Sequence, residues 1–323
     1  MREAAFIKQN SEKWKSFENL LGERFTGDPD KLSELFIELT DDLSYAQTNY
    51  PSSKITIYLN DLTLRVHGNI YKNKKERSGR FFTFWKTELP LTIYKNRNAL
   101  LASLVIFSIS IAIGVISAYY DDSFVRIILG DSYVNMTISN IERGDPMAVY
   151  KGEGETSMFL FITFNNIKVA LMTFAAGVAY ALGTVYFLFT NGIMLGSFQT
   201  FFYKYDLLLH SVLSIWIHGT IEISSIVIAG GAGLVLGNSL LFPGTYSRGE
   251  SLLRGAREGA KISIGLIPLF IIAGFLEGFV TRHTEMHDLI KLFIILASAA
   301  FIIYYFIFYP IIINNQFKHA TKN

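Results

Sequence analysis

The chain has no cysteine, which excludes disulfides and thiol chemistry and leaves any metal site to histidine and carboxylate. It has almost no charge bias. At a formal net charge of +2, no overall basicity points to nucleic acid as a partner. It lacks a Walker A lysine motif, a Rossmann glycine pattern and a serine nucleophile elbow, so nucleotide hydrolysis would have to come from a partner. No HExxH zinc motif occurs. No internal repeat is evident, which leaves inverted-repeat transporter symmetry unsupported. A cleavable signal peptide is not expected either. Residues 1–20 are charged and amphipathic, and the first long apolar run starts only near Ala99, where it would serve as an uncleaved signal-anchor.

What is present is apolar sequence. Half of the 323 residues are hydrophobic and the mean hydropathy is +0.32, typical of a chain with several membrane spans. The expected fold is all-α: a polytopic membrane helix bundle with an N-terminal soluble helical domain.

Residues 1–97 read as a helical cytoplasmic head. Phe6, Trp14, Phe17, Leu20 and Leu21 recur at helical spacing among Lys and Glu. Asp28-Pro29-Asp30 is a good helix start, and the helix it opens would turn Leu32, Leu35, Phe36, Leu39, Leu43 and Ala46 inward. Tyr50-Pro51-Ser52-Ser53 ends it. A third helix, from about Ile55 to Tyr71, carries Ile57, Leu59, Leu62, Leu64, Val66 and Ile70. Lys72, Lys74, Lys75, Arg77, Arg80, Lys86, Lys95 and Arg97 precede the first span, a positive-inside signal that keeps the head in the cytoplasm and brings the chain against anionic membrane lipid.

Residues 98–120 hold the first span, with Ala99–Ala118 long enough for a hydrocarbon core of ~30 Å. Residues 121–157 read as an extracytoplasmic loop in which Asp121, Asp122, Asp131, Glu142, Asp145, Glu153 and Glu155 outnumber Arg126, Arg143 and Lys151. Residues 158–315 form the transmembrane core, and 316–323 a C-terminal tail. Within the core, Met158–Tyr203 is interrupted by Asn191-Gly192 and is either two tight spans or one span with a re-entrant half-helix. Leu241-Phe-Pro-Gly244 is a clear stop, followed by a loop carrying Arg248, Arg254, Arg257 and Lys261. A further span covers Ile262–Val280, and the last runs from Leu289 to Ile313 with Tyr304, Tyr305 and Tyr309 near its end, before Lys318 and Lys322. Positive-inside counting puts the head, the Arg-rich loop and the C-terminus on one side. That requires an even number of crossings, about six, whereas five plus a re-entrant half-helix would put the Arg-rich loop outside.

The stretch that organises the chain is His218-Gly-Thr-Ile-Glu222, within the apolar run Leu207–Leu241. Ionisable residues inside a membrane helix are costly unless paired or turned to the protein interior. Four residues apart, His218 and Glu222 share a helix face. Three uses compete. A buried hydrogen-bonded pair would fix helix packing. A proton relay would enlist Lys168 or Glu277, with Asn165 and Asn166 lining a cavity. A metal site would need more than two ligands, so none is expected. Asn165-Asn166 and Asn191-Gly192 otherwise cap or break helices. Gly192, Gly196, Gly230, Gly233, Gly237, Gly274 and Gly278 read as packing seams where backbones approach, either within the bundle or in a homo-oligomer, a dimer first of all.

At these residues the chain resembles the stage II sporulation protein M (SpoIIM) family of bacterial and archaeal membrane proteins. The likeness runs through Asn165-Asn166-Ile-Lys-Val-Ala170, Gly183-Thr184, Asn191-Gly192-Ile-Met-Leu-Gly196 and His218-Gly-x-x-Glu222. It continues in Ala229-Gly-Gly-Ala-Gly-Leu234, Leu241-Phe-Pro-Gly244-x-x-Ser-Arg248 and Leu276-Glu-Gly-Phe-Val-Thr281. In the head, Asp42-Leu-Ser-x-Ala46 and Leu59-Asn60 through His67 and Tyr71 resemble a longer, non-sporulation branch. The resemblance implies a multi-pass protein of the cytoplasmic (inner) membrane with its N-terminus in the cytoplasm. The family's name comes from a spore-engulfment protein that works as a membrane scaffold with peptidoglycan-degrading partners, although most members occur in organisms that do not sporulate. Relatives of this branch are often encoded beside a MoxR-type AAA ATPase, a von Willebrand-like protein and an RDD-type membrane protein.

The expected function is that of a scaffold or assembly subunit of a cell-envelope complex, without catalysis or cofactor of its own. The alternative is a transporter or channel for a small solute or lipid that uses His218 and Glu222, and a third class is an intramembrane enzyme. A cavity reaching the pair would favour transport and a packed pair the scaffold. A metal with a third ligand would favour the enzyme.

Overall fold

The computed structural model describes residues 2–22, 29–72, 79–150 and 154–320, with backbone only for 19–22, 29–35, 66–72, 80, 150, 319 and 320. The expectations for the side chains of Leu20, Leu21, Leu32, Leu35, Val66, Ile70, Lys72 and Arg80 lie outside the described residues, as do Lys74, Lys75, Arg77, Lys151, Glu153 and Lys322. The described residues form twelve helices in two compact units, Met1–Arg80 and Phe81–Asn323. The first unit ends earlier than the boundary at 97 expected from the basic run, and residues 81–97 belong to the second.

The first unit contains α1 (Glu3–Gly22), α2 (Pro29–Asn49) and α3 (Lys54–Lys72). Phe6, Trp14 and Phe17 pack with Leu39, Leu43 and Ala46 and with Ile55, Leu59 and Leu62. Trp14 Nε1 donates to Asp42 Oδ2 at 2.8 Å, and Lys13 Nζ reaches the same oxygen at 2.6 Å. On α3, Ile57 and Leu64 belong to the apolar series but are exposed. They follow Ile55 and Leu62 by two positions, about 200° around a helix, so they cannot share the buried stripe of 55, 59 and 62.

The second unit opens with α4 (residues 80–95), followed by α5 (Arg97–Tyr120), α6 (Asp122–Leu129) and α7 (Asp131–Glu142). Then come α8 (Glu155–Val178), α9 (Leu182–Lys204), α10 (Leu208–Leu241), α11 (Arg248–Thr281) and α12 (Asp288–Lys318). Five of these, α5, α8, α10, α11 and α12, are long and apolar enough to cross a membrane. The sixth, α9, has 23 residues, about 34 Å of helix, but carries Asn191 and Gln199. Met158–Tyr203 is therefore two full-length helices and contains no half-helix. Its break falls at Ala179–Ala181, where Tyr180 and Ala181 adopt φ of 53° and 67°. Asn191-Gly192 breaks nothing. Asn191 Nδ2 donates to the Phe187 carbonyl at 2.8 Å inside α9, and Asn165-Asn166 likewise sits inside α8.

The central helix is α10, with 78 % of its apolar stretch buried against 11–50 % for the other candidate spans. Its small residues let neighbours come close. A Cβ on Gly233 would strike Thr184 Oγ1 and stand 2.7 Å from the Thr173 carbonyl, and one on Gly237 would strike Ala181. Gly230 meets Leu188 and Ser103, Gly192 and Gly196 meet α5, and Gly274 and Gly278 meet α8. All seven predicted seam glycines are used within one chain. Hydroxyls add cross-helix bonds: Ser103 Oγ to the Val227 carbonyl at 2.7 Å, and Thr184 Oγ1 to the Thr173 carbonyl at 2.7 Å.

Two expected loops are helical. Residues 121–157 contain α6 and α7, whose Val125 and Val134 pack with Met147 against Ala118, Phe201, Phe202 and Ile215. Asp121 caps α6, and the Ser123 hydroxyl and backbone N–H hold its carboxyl below the usual carboxylate range. Arg248–Lys261 is the first part of α11. Ser251, Gly255 and Gly259, one turn apart, are its buried face, and Ser251 Oγ donates to the Ser239 carbonyl at 2.6 Å. Pro268 lacks an N–H to continue the ladder, and α11 turns at Leu266 before resuming.

The six long helices alternate in direction, which gives the bundle two chemically different ends. One carries Lys86, Lys95, Arg97, Arg254, Arg257 and Lys261, with Lys95 paired to Glu258 and Lys261 Nζ 3.1 Å from Glu88. There Tyr305 and Tyr309 donate to the carbonyls of Trp85 and Lys86 at 2.7 and 3.0 Å, tying α12 to α4. The other end carries Asp121, Asp122, Asp131, Glu142, Asp145 and Glu155.

Candidate functional site

His218 and Glu222 lie one turn apart on α10, and α11 supplies Glu277. His218 Nε2 is 3.7 Å from Glu277 Oε2, and His218 Nδ1 is 2.9 Å from Thr281 Oγ1. One ligand atom from each of His218, Glu222 and Glu277 lies within 4.8 Å of the other two. The histidine is 4 % exposed. Residues 276–281 wind as a π-helical turn, a widening that breaks the register of α11 where Glu277 and Thr281 meet α10. His218 lies ten residues into α10, about 15 Å from its start, and Glu277 four residues from the end of α11. The cluster thus sits nearer the acidic end of the bundle.

The wall around it is polar and under-bonded. Asn166 of α8 buries its amide beside Glu222. Ser214, one turn before His218, and Thr163, one turn before Asn166, bury hydroxyls without partners. A carbonyl, amide or hydroxyl group buried without a hydrogen bond costs about 1–3 kcal/mol. Two such groups, on α10 and α8, add to the polar character that Asn166 and the three ionisable residues give this part of an otherwise apolar core.

The predicted site thus divides. His218, Glu222, Glu277 and Asn166 come together. Lys168 and Asn165 do not: both are exposed on the outward face of α8, about 200° and 100° from Asn166. The proton relay imagined through Lys168 has no route there, and Glu277 is the partner that reaches His218. Thr281, Ser214 and Thr163 were not singled out in the sequence, although each stands at helical spacing from a residue that was. Lys291 was also missed. It is 3 % exposed, and its ammonium donates to the Thr284 carbonyl at 3.0 Å, closing the turn between α11 and α12.

At the basic end lies an open groove of about 680 Å³, lined by Lys95, Asn238, Phe242, Tyr246, Arg254 and Glu258 among others. Arg254 is stacked 3.8 Å over the Tyr246 ring and bonded to Glu250, and Lys95 is paired with Glu258. Its charges are largely satisfied from within.

Two family models match the chain. The stage II sporulation protein M (SpoIIM) model matches residues 103–282, more than half of the chain, from α5 through α11 and including all four clustered residues. A domain of unknown function, DUF8413, matches residues 4–72, the three helices of the first unit. No curated protein and no solved structure matches.

Proposed function

The chain belongs to the stage II sporulation protein M family, and we propose that it is an assembly subunit of a cell-envelope membrane complex, joining partners without chemistry of its own. The observation that carries this reading is the outward face of α8. Asn165 and Lys168 are exposed there, three residues apart on one stripe near the midpoint of the helix, and no ion pair engages Lys168 among the described residues. A lysine at the centre of a membrane helix costs about 2.5–3.5 kcal/mol when it faces lipid. A second transmembrane helix laid against this stripe, bringing a carboxylate or backbone carbonyls, removes that cost. The first candidate is a second copy of the chain. Hydrophobic residues such as Phe161 and Phe164 flank the stripe and supply contact area.

Two further features support the reading. Glycines along α10 let its neighbours pack closely through the middle of the bundle, and the groove at the basic end is lined by none of His218, Glu222 and Glu277. The three-helix unit matched by DUF8413 has its own core and suits a docking module. With the basic end inside, as the positive-inside rule directs, that module faces the cytoplasm. The MoxR-type ATPase, von Willebrand-like and RDD-type proteins expected from the resemblance are the partners to look for.

The chain's lack of cysteine provides a clean test. In native membranes, Asn165→Cys should cross-link to a second copy or to another membrane subunit under mild oxidation or with a short thiol-to-amine reagent. Ile109→Cys, on the exposed face of α5, should stay a single chain. Failure of Asn165→Cys, Phe161→Cys and Lys168→Cys alike to form any adduct would contradict the proposal.

A further inference from the structure

We propose that His218, Glu222 and Glu277 bind one divalent cation of the zinc or manganese class between α10 and α11. The donors come from two helices and their ligand atoms already lie within 4.8 Å of one another, so a small closure brings them onto a common ion. The chemistry of the set fits. One imidazole nitrogen with two carboxylates suits zinc and manganese, whereas calcium and magnesium prefer oxygen alone. Two carboxylates and a neutral imidazole carry a charge of about −2, which a divalent ion cancels in a place where net charge is costly.

The surroundings point the same way. Thr281 Oγ1, 2.9 Å from His218 Nδ1, can accept its N–H and so leave the Nε2 lone pair turned towards Glu277. That is the outer-sphere hydrogen bond that ligating histidines usually make. Without a cation or a proton between them, Nε2 and the carboxylate repel. The Ser214 hydroxyl, 1 % exposed and without a hydrogen-bond partner, stands one turn before His218, and the Asn166 amide, 6 % exposed, reaches Glu222. A cation with a bound water would give that hydroxyl something to bond. Sequence spacing alone offers only the His218–Glu222 pair, and the third ligand becomes visible once α11 is folded against α10.

The inference is independent of the assembly reading and is tested without it. The full chain is purified in detergent through a tag that binds no metal, and its metal content is measured directly. The sample is then stripped with EDTA and its melting temperature followed as zinc chloride, manganese chloride or magnesium chloride is added. The expected result is about one zinc or manganese per chain before stripping, and a rise of several degrees on adding back that ion but not magnesium. Glu277→Gln and Glu222→Gln should each lose the bound metal and the rise, while Gly249→Ala, with nothing near its Cβ position, keeps both. If one variant fails to fold, the other decides. A wild-type chain with neither bound metal nor a metal-dependent rise would overturn the site, leaving a shared proton between the carboxylates. So would a rise of equal size in the folded glutamine variants.

Discussion

His218 Nε2 stands 3.7 Å from Glu277 Oε2, two residues 59 positions apart in sequence that meet because α11 folds back along α10. The contact makes a triad of what the sequence presents as a pair, and it fixes which substitutions should be costly.

His218→Ala removes the imidazole and leaves Glu222 and Glu277 facing each other. Emptying the volume of a buried ring and stranding its hydrogen-bond partners costs about 2–5 kcal/mol. Thr281→Val removes only the hydrogen bond to Nδ1, worth about 1 kcal/mol. Melting curves in detergent should rank the two, with His218→Ala much the lower. Equal melting temperatures would mean that the imidazole is not holding the carboxylates.

The seam glycines should behave as parts of the fold. Gly233→Leu and Gly196→Leu drive a side chain into the backbones of α8 and α5, and overpacking costs about 1–3 kcal/mol or more. Gly249→Ala, with nothing near its Cβ position, is the control. Size-exclusion profiles should show loss of the folded peak for the first two and an unchanged peak for the third. Normal folding with only the oligomer lost would place the glycines at a subunit interface instead.

Topology is tested at the two ends of the bundle. A phosphatase fused at Thr245, in the turn between α10 and α11, should be inactive, and one at Asp145 active. Activity at Thr245 would mean that α8 and α9 together cross an odd number of times.

In the first unit, Asp42 accepts from Trp14 Nε1 and pairs with Lys13. Asp42→Ala should lower the stability of that unit by about 1–2 kcal/mol, measured by chemical denaturation of residues 1–80, and Asp61→Ala, which with its partner Arg65 is exposed on α3, should do almost nothing. Equal losses would argue that the bond to Trp14 is not structural.

Much of this was legible because membrane helices signal themselves through charge. His218 and Glu222 stand out in an apolar run, and the basic segments mark one end. What could not be read depends on partners in space. Asn191-Gly192 looks like a break, yet the glycine is there because α5 passes close to it, and the real break at Tyr180 and Ala181 uses residues that carry no turn signal. Lys168 looked like a partner for Glu222 because spacing along α8 does not say which face meets α10. The helical character of Arg248–Lys261 had a signal that composition hides: Ser251, Gly255 and Gly259 recur at one-turn spacing among the charges.

The central claim, assembly through α8, is tested most directly by the mass of the intact particle. Purified gently from its own membrane and measured by native mass spectrometry, the protein should appear with a second copy or another membrane subunit. Lys168→Leu should release a single chain of 36.4 kDa that melts no earlier than the wild type. A wild-type protein that runs as one 36.4-kDa chain in lipid, indistinguishable from Lys168→Leu, would contradict the account.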